Sequence, residues 1–105
     1  MVTGIDISPE AIQYAQDHYA HGRVNYFNKS VTDIQDNVAF DLITCFEVLE
    51  HMDDPDMTIQ KCRQLVQNNG TLIISVPNGA NAAQNNEHHK NNFRAQDLRT
   101  LCANN

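Results

Sequence analysis

Val2-Thr3-Gly4-Ile5-Asp6-Ile7-Ser8-Pro9-Glu10-Ala11 is the stretch that decides the fold. The apolar run to Ile7 suits a short buried strand. A helix start follows at once, with Ser8 as N-cap, Pro9 at the first helical position and Glu10 in the positively polarised first turn. In open α/β folds an acidic residue at the carboxyl end of the second strand holds a nucleotide ribose by its hydroxyls, and Asp6 stands at that place. A glycine-rich turn that cradles the other end of the cofactor is expected about 20 residues earlier, upstream of Met1.

Working outward, Ile12, Ala15 and Tyr19 recur on one helical face and Gly22 predicts a stop, so the first helix makes about three turns. Val24-Asn25-Tyr26-Phe27 reads as a second strand, and Ser30-Val31-Thr32-Asp33 as the loop after it. Phe40-Asp41-Leu42-Ile43-Thr44-Cys45-Phe46 is nearly continuous in apolarity, as a central parallel strand is. Glu47–Asp54 leaves it at its carboxyl end, and Pro55 or Asp56 opens a helix on which Ile59, Cys62, Leu65 and Val66 recur. Asn68-Asn69-Gly70 predicts a left-handed cap for that helix, before a strand over Thr71–Val76 that Pro77 breaks. From Asn78 to Asn92 there is no large apolar residue, which predicts a loop. A last helix from about Ala95 carries Leu98, Leu101 and Cys102 on its apolar face. This alternation of strands and helices predicts an α/β fold with a doubly wound, mostly parallel sheet and flanking helices.

The composition narrows the function classes. The chain has 105 residues, the size of one domain or less. Its mean hydropathy of −0.50 is polar for a chain expected to bury a sheet on both faces. Seven Lys+Arg against thirteen Asp+Glu give a net charge of −6, with no basic cluster, so nucleic acid receives no electrostatic support as a partner. Cys45, Cys62 and Cys102 form no C-x-x-C pair, which points away from a zinc knuckle or a disulfide framework and toward a reducing, cytoplasmic setting. The longest apolar stretch, around Leu72-Ile73-Ile74, is far short of a membrane span.

Four segments together resemble the class I S-adenosylmethionine-dependent methyltransferases: V-T-G-I-D-I-S-P-E-A-I at 2–12, S-V-T-D-I at 30–34, F-D-L-I-T-C-F-E-V-L-E-H at 40–51 and N-G-T-L-I-I-S-V-P-N at 69–78. The order and spacing match as well as the segments. The resemblance implies a Rossmann-like fold, S-adenosyl-L-methionine as cofactor and methyl transfer to an acceptor, with small-molecule O-methylation favoured. It implies that Asp6 accepts hydrogen bonds from both ribose hydroxyls, that Ile7 packs on the adenine ring, and that Ser30 and Val31 face the adenine edge. Many relatives carry an aspartate where Ser30 stands, so a weaker contact to the exocyclic amine is expected. Cys45, Phe46 and Glu47 are implied to border the methionine part and the methyl group. For Ile7, Val31, Cys45 and Phe46, ordinary core packing is an equal expectation.

The resemblance also implies that residues 1–105 are a single partial domain, incomplete at both ends. The first strand of the family's sheet, which lies between the strands at Val2–Ile7 and Phe40–Phe46, is expected before Met1, and the last strands after Asn105. Strand edges left open in this way favour self-association.

Glu47-Val48-Leu49-Glu50-His51 is the one constellation able to hold chemistry beyond binding. On a helical turn Glu47, Glu50 and His51 share a face, so two carboxylates and an imidazole are candidates for general base toward a hydroxyl acceptor. The E-x-x-E-H string is similar to the metal site of the small-RNA 2′-O-methyltransferases, where a further histidine completes the set; His88 or His89 is its only source here. The simpler expectation is that the Glu-His pair orders the loop and that no metal is bound, since three groups in one turn do not close a site. A nicotinamide-dependent oxidoreductase shares the acidic strand end but leaves the E-V-L-E-H and S-V-P-N segments unaccounted for. The third alternative is non-catalytic, a truncated fragment or a half-domain that needs a partner chain.

Overall fold

The computed structural model describes residues 1–78 and 93–103. Residues 79–92, which include His88, His89 and most of the asparagine-rich stretch, lie outside them. Strand β1 (Val2–Asp6), helix α1 (Pro9–Tyr19), strand β2 (Val24–Asn28), strand β3 (Phe40–Phe46), helix α2 (Pro55–Leu65), strand β4 (Val66–Ser75) and helix α3 (Ala95–Ala103) follow in order, with 3-10 turns at Val31–Asp33 and Leu49–His51. The alternating order and flanking helices are those expected. The strands pair in parallel as two two-stranded sheets, β1 with β2 and β3 with β4. The chain divides into two compact units, Met1–Gln35 and Asp36–Asn105.

In the first unit α1 starts where the sequence places it. Ser8 Oγ accepts a hydrogen bond from Ala11 N at 3.2 Å, Pro9 occupies the first turn, and Ser8 N donates to Asp6 Oδ1 at 2.8 Å. Ile12 is the buried residue of the helix, whereas Tyr19, expected on the same face, is 63% exposed. Its backbone oxygen instead accepts from the Tyr26 hydroxyl at 3.0 Å, which ties α1 to β2. Gly4 lies against that tyrosine: a Cβ there would meet Tyr26 Cδ1 at 2.9 Å.

In the second unit a core of Cys45, Leu49, Ile59 and Phe93 is extended by Val48, Ile74, Val76, Leu98 and Leu101. The 3.6-residue period puts Ile59, Cys62 and Leu65 on the buried face of α2, whose N-cap Asp54 accepts from Met57 N at 3.0 Å. Two expectations are corrected here. Helix α2 ends at Leu65 rather than at Asn68-Asn69-Gly70, because Val66 is already extended (φ −82°, ψ 134°) and pairs with Phe40. Gly70 has no positive φ. It serves close approach instead, since a Cβ there would stand 2.6 Å from Val66 Cγ2 and 2.9 Å from Asp41 O. The register shifts at this point, so that Phe40 pairs with Val66 but Leu42 with Thr71. The second correction concerns the strands: among the described residues, Cys45 of β3 and Ile74 of β4 pack into the core while Leu42, Phe46 and Ile73 are exposed. Cys102, expected on the apolar face of α3, is also exposed.

Candidate functional site

The candidate residues of the first unit stand at the carboxyl ends of its two strands, where open α/β sheets bind ligands. Asp6 closes β1 and is exposed. One carboxylate oxygen caps the turn through Ser8 N, and Asn28 Nδ2 donates to the Asp6 backbone oxygen at 3.0 Å. Ile7 is 65% exposed, so its side chain is not used in the core. Ser30 and Val31 are half-buried at the 3-10 turn after β2. The Ser30 hydroxyl caps this turn, accepting from Thr32 N at 3.4 Å and Thr32 Oγ1 at 3.0 Å, while Ser30 N donates to Asp33 Oδ2 at 2.9 Å. A reciprocal capping box of this kind fixes the loop backbone without help from a ligand.

In the second unit the candidates lie on and after β3. Cys45 is buried in the core and its thiol is pushed up to about 11, by burial first and then by Cys62 and Glu50 nearby. Its side chain packs in the cluster with Leu49, Ile59 and Phe93. Phe46, 54% exposed, is the opposite case.

Glu47, Glu50 and His51 do not share one helical face. Glu47 takes the left-handed conformation (φ 54°) and is the one such non-glycine among the described residues. The 3-10 turn begins only at Leu49. As a result the two carboxylates part. Glu47 is exposed, its N donates to Ser75 O at 2.9 Å, and Ser75 Oγ donates to Glu47 Oε2 at 3.4 Å. Glu50 turns inward until its side chain is 3% exposed, with Oε1 3.5 Å from His51 Nε2. Glu50 Oε2 is buried without a hydrogen-bond partner. Among the described residues no group of three His, Cys, Asp or Glu side chains is placed to hold a metal ion. Ser75 was not singled out from the sequence; its signal was its register opposite Phe46, which no local pattern reveals.

A family model described as "Methyltransferase domain" matches residues 1–74. The chain belongs to the class I S-adenosylmethionine-dependent methyltransferases. The ubiquinone biosynthesis O-methyltransferase of Glaesserella parasuis serovar 5 (strain SH0165) is 37% identical to this methyltransferase chain over 86 residues, which is 74% of the chain and 36% of the relative. The protein of the same name from Xanthomonas campestris pv. campestris (strain B100) is 38% identical over 86 residues, 78% of the chain and 36% of the relative. That from Coxiella burnetii (strain Dugway 5J108-111) is 38% identical over 82 residues, 74% of the chain and 35% of the relative. The methyltransferase chain thus spans about a third of the length of the curated relatives it matches. No helix among its described residues is long and apolar enough to cross a membrane.

Proposed function

We propose that this methyltransferase chain takes part in methyl transfer from S-adenosyl-L-methionine to a hydroxyl of a small molecule. The observation that carries the reading is its 37–38% identity to proteins named ubiquinone biosynthesis O-methyltransferases. The exposed carboxylate at the end of β1 supports it, because Asp6 spends one oxygen on Ser8 N and keeps the other for a ribose hydroxyl. Ile7, exposed beside it, is free to pack on the adenine ring, and Ser30 and Val31 are assigned to the adenine edge. When bound, the cofactor supplies a methyl group already activated on a sulfonium, so the chain's own residues contribute alignment and exclusion of water. In the second unit Glu47 is the residue assigned to accept the acceptor's hydroxyl proton. Glu50 and His51 hold the loop behind it.

Asp6→Asn tests the reading by calorimetry of S-adenosylmethionine binding to the full chain. Loss of a charge-assisted hydrogen bond is expected to weaken binding by about tenfold or more, with the circular dichroism melt unchanged. Equal affinities for wild type and variant would remove Asp6 from the site. Failure of the wild-type chain to bind the cofactor at all would overturn the proposal for this chain.

A further inference from the structure

We propose that Asn28 is a positioning residue for Asp6. The two form the last register pair of the β1–β2 ladder, so their side chains leave the sheet on the same face at its carboxyl end. Beyond them the backbone ladder does not continue, because Lys29 N turns back to donate to Phe27 O at 3.1 Å. The Asp6 carbonyl is met by a side chain instead, Asn28 Nδ2 donating to Asp6 O at 3.0 Å. Ser8 N holds the same residue at its other end, donating to Asp6 Oδ1 at 2.8 Å. Main chain and carboxylate are thus each fixed by one bond, and Oδ2 keeps no hydrogen-bond partner among the described residues. All three residues belong to the first unit.

A strand terminus frays where its last polar groups lack partners. A carboxylate on a fraying terminus has to be ordered when it meets a ligand, and that ordering is subtracted from the affinity. Asn28 supplies part of the order in advance. The inference rests on the ribose role proposed for Asp6 above and gives it a specific form: the Asn28 amide sets how well the chain distinguishes a ribose from a deoxyribose.

The test is calorimetry of S-adenosylhomocysteine, the demethylated cofactor with the same ribose, and of its 2′-deoxy and 3′-deoxy analogues. The proteins are the full chain and its Asp6→Asn, Asn28→Ala and Asn28→Asp variants. Wild type is expected to prefer the ribose compound over at least one analogue. A variant that is partly unfolded binds all three compounds more weakly by the same factor, so the ratio of affinities separates positioning from stability. Asn28→Ala is expected to lower that ratio about threefold, the scale of one surface hydrogen bond. Asn28→Asp, which sets an acceptor where a donor is needed, is expected to lower it at least as far. A ratio lowered by Asp6→Asn but unmoved by Asn28→Ala overturns the role of Asn28 and leaves the cofactor reading standing. Equal wild-type affinities, or a preference that neither Asp6→Asn nor Asn28→Ala moves, overturn the ribose role of Asp6 and that of Asn28 with it. Absence of binding of all three compounds to wild type overturns the cofactor reading and this inference together.

Discussion

Cys45 shows how far a residue's chemistry depends on which side of a strand it faces. In sequence it sits between Thr44 and Phe46 in an apolar run, and packing and ligand contact were equal expectations for it. In the fold its thiol lies among Leu49, Ile59 and Phe93, and burial raises its ionisation from 9.0 to about 11. Cys62 is raised in the same direction by burial. The folded state therefore holds these protons after the unfolded chain has released them. The stability that Cys45 contributes is complete below pH 9 and is lost as the pH climbs toward about 11, and Cys62 acts in the same direction. The melting temperature is expected to fall across that window, and to fall less in Cys45→Ala relative to that variant's own value at neutral pH. Equal declines would show that Cys45 carries none of the effect. Glu47 and Glu50 make the same point for carboxylates: three residues apart, one is exposed at a strand end and the other is buried, because the backbone between them is left-handed and then 3-10 rather than helical.

Elements with local start signals were legible. Ser8-Pro9-Glu10 and Asp54-Pro55-Asp56 each combine a capping side chain with a proline that fits the first turn, and α1 and α2 begin at Pro9 and Pro55. The apolar run Phe40–Phe46 is a strand over that whole span. The end of α2 was not legible, because a better partner overrode the local cap signal: Val66 joins the ladder opposite Phe40, and Asn68-Asn69-Gly70 falls within the register shift. Gly70 is needed there for space. Ala at position 70 would push its methyl against Val66 Cγ2 and the Asp41 and Gln67 carbonyl oxygens, at 2.6, 2.9 and 3.0 Å. Gly70→Ala is thus expected to cost about 1–3 kcal/mol, read as a lower midpoint in urea at unchanged slope. Unaltered stability would mean that the strand entrance relaxes freely.

For the whole molecule, the division into two units sets the distribution of stability. Among the described residues, the first unit buries one large hydrophobic side chain, Ile12, whereas the second buries Leu49, Ile59, Leu65 and Phe93 together with two cysteines. Two-stranded sheets are marginal without a packed helix face, so the better-covered unit should open less often. Native-state hydrogen exchange is expected to show amides of β3, β4 and α2 protected about tenfold or more beyond those of β1, β2 and α1. Uniform protection would mean that the chain opens as one cooperative body. The sequence by itself determined the alternation of elements, the helix starts, the family and the acidic strand end at Asp6, because each is written in neighbouring residues or in segments whose order is preserved. Only the tertiary structure decided that the strands pair two by two, that Cys45 and Glu50 turn inward, and that Ser75 meets Glu47. Those outcomes depend on register and on which face a helix covers, and residues 28 positions apart along the chain carry no local record of their contact.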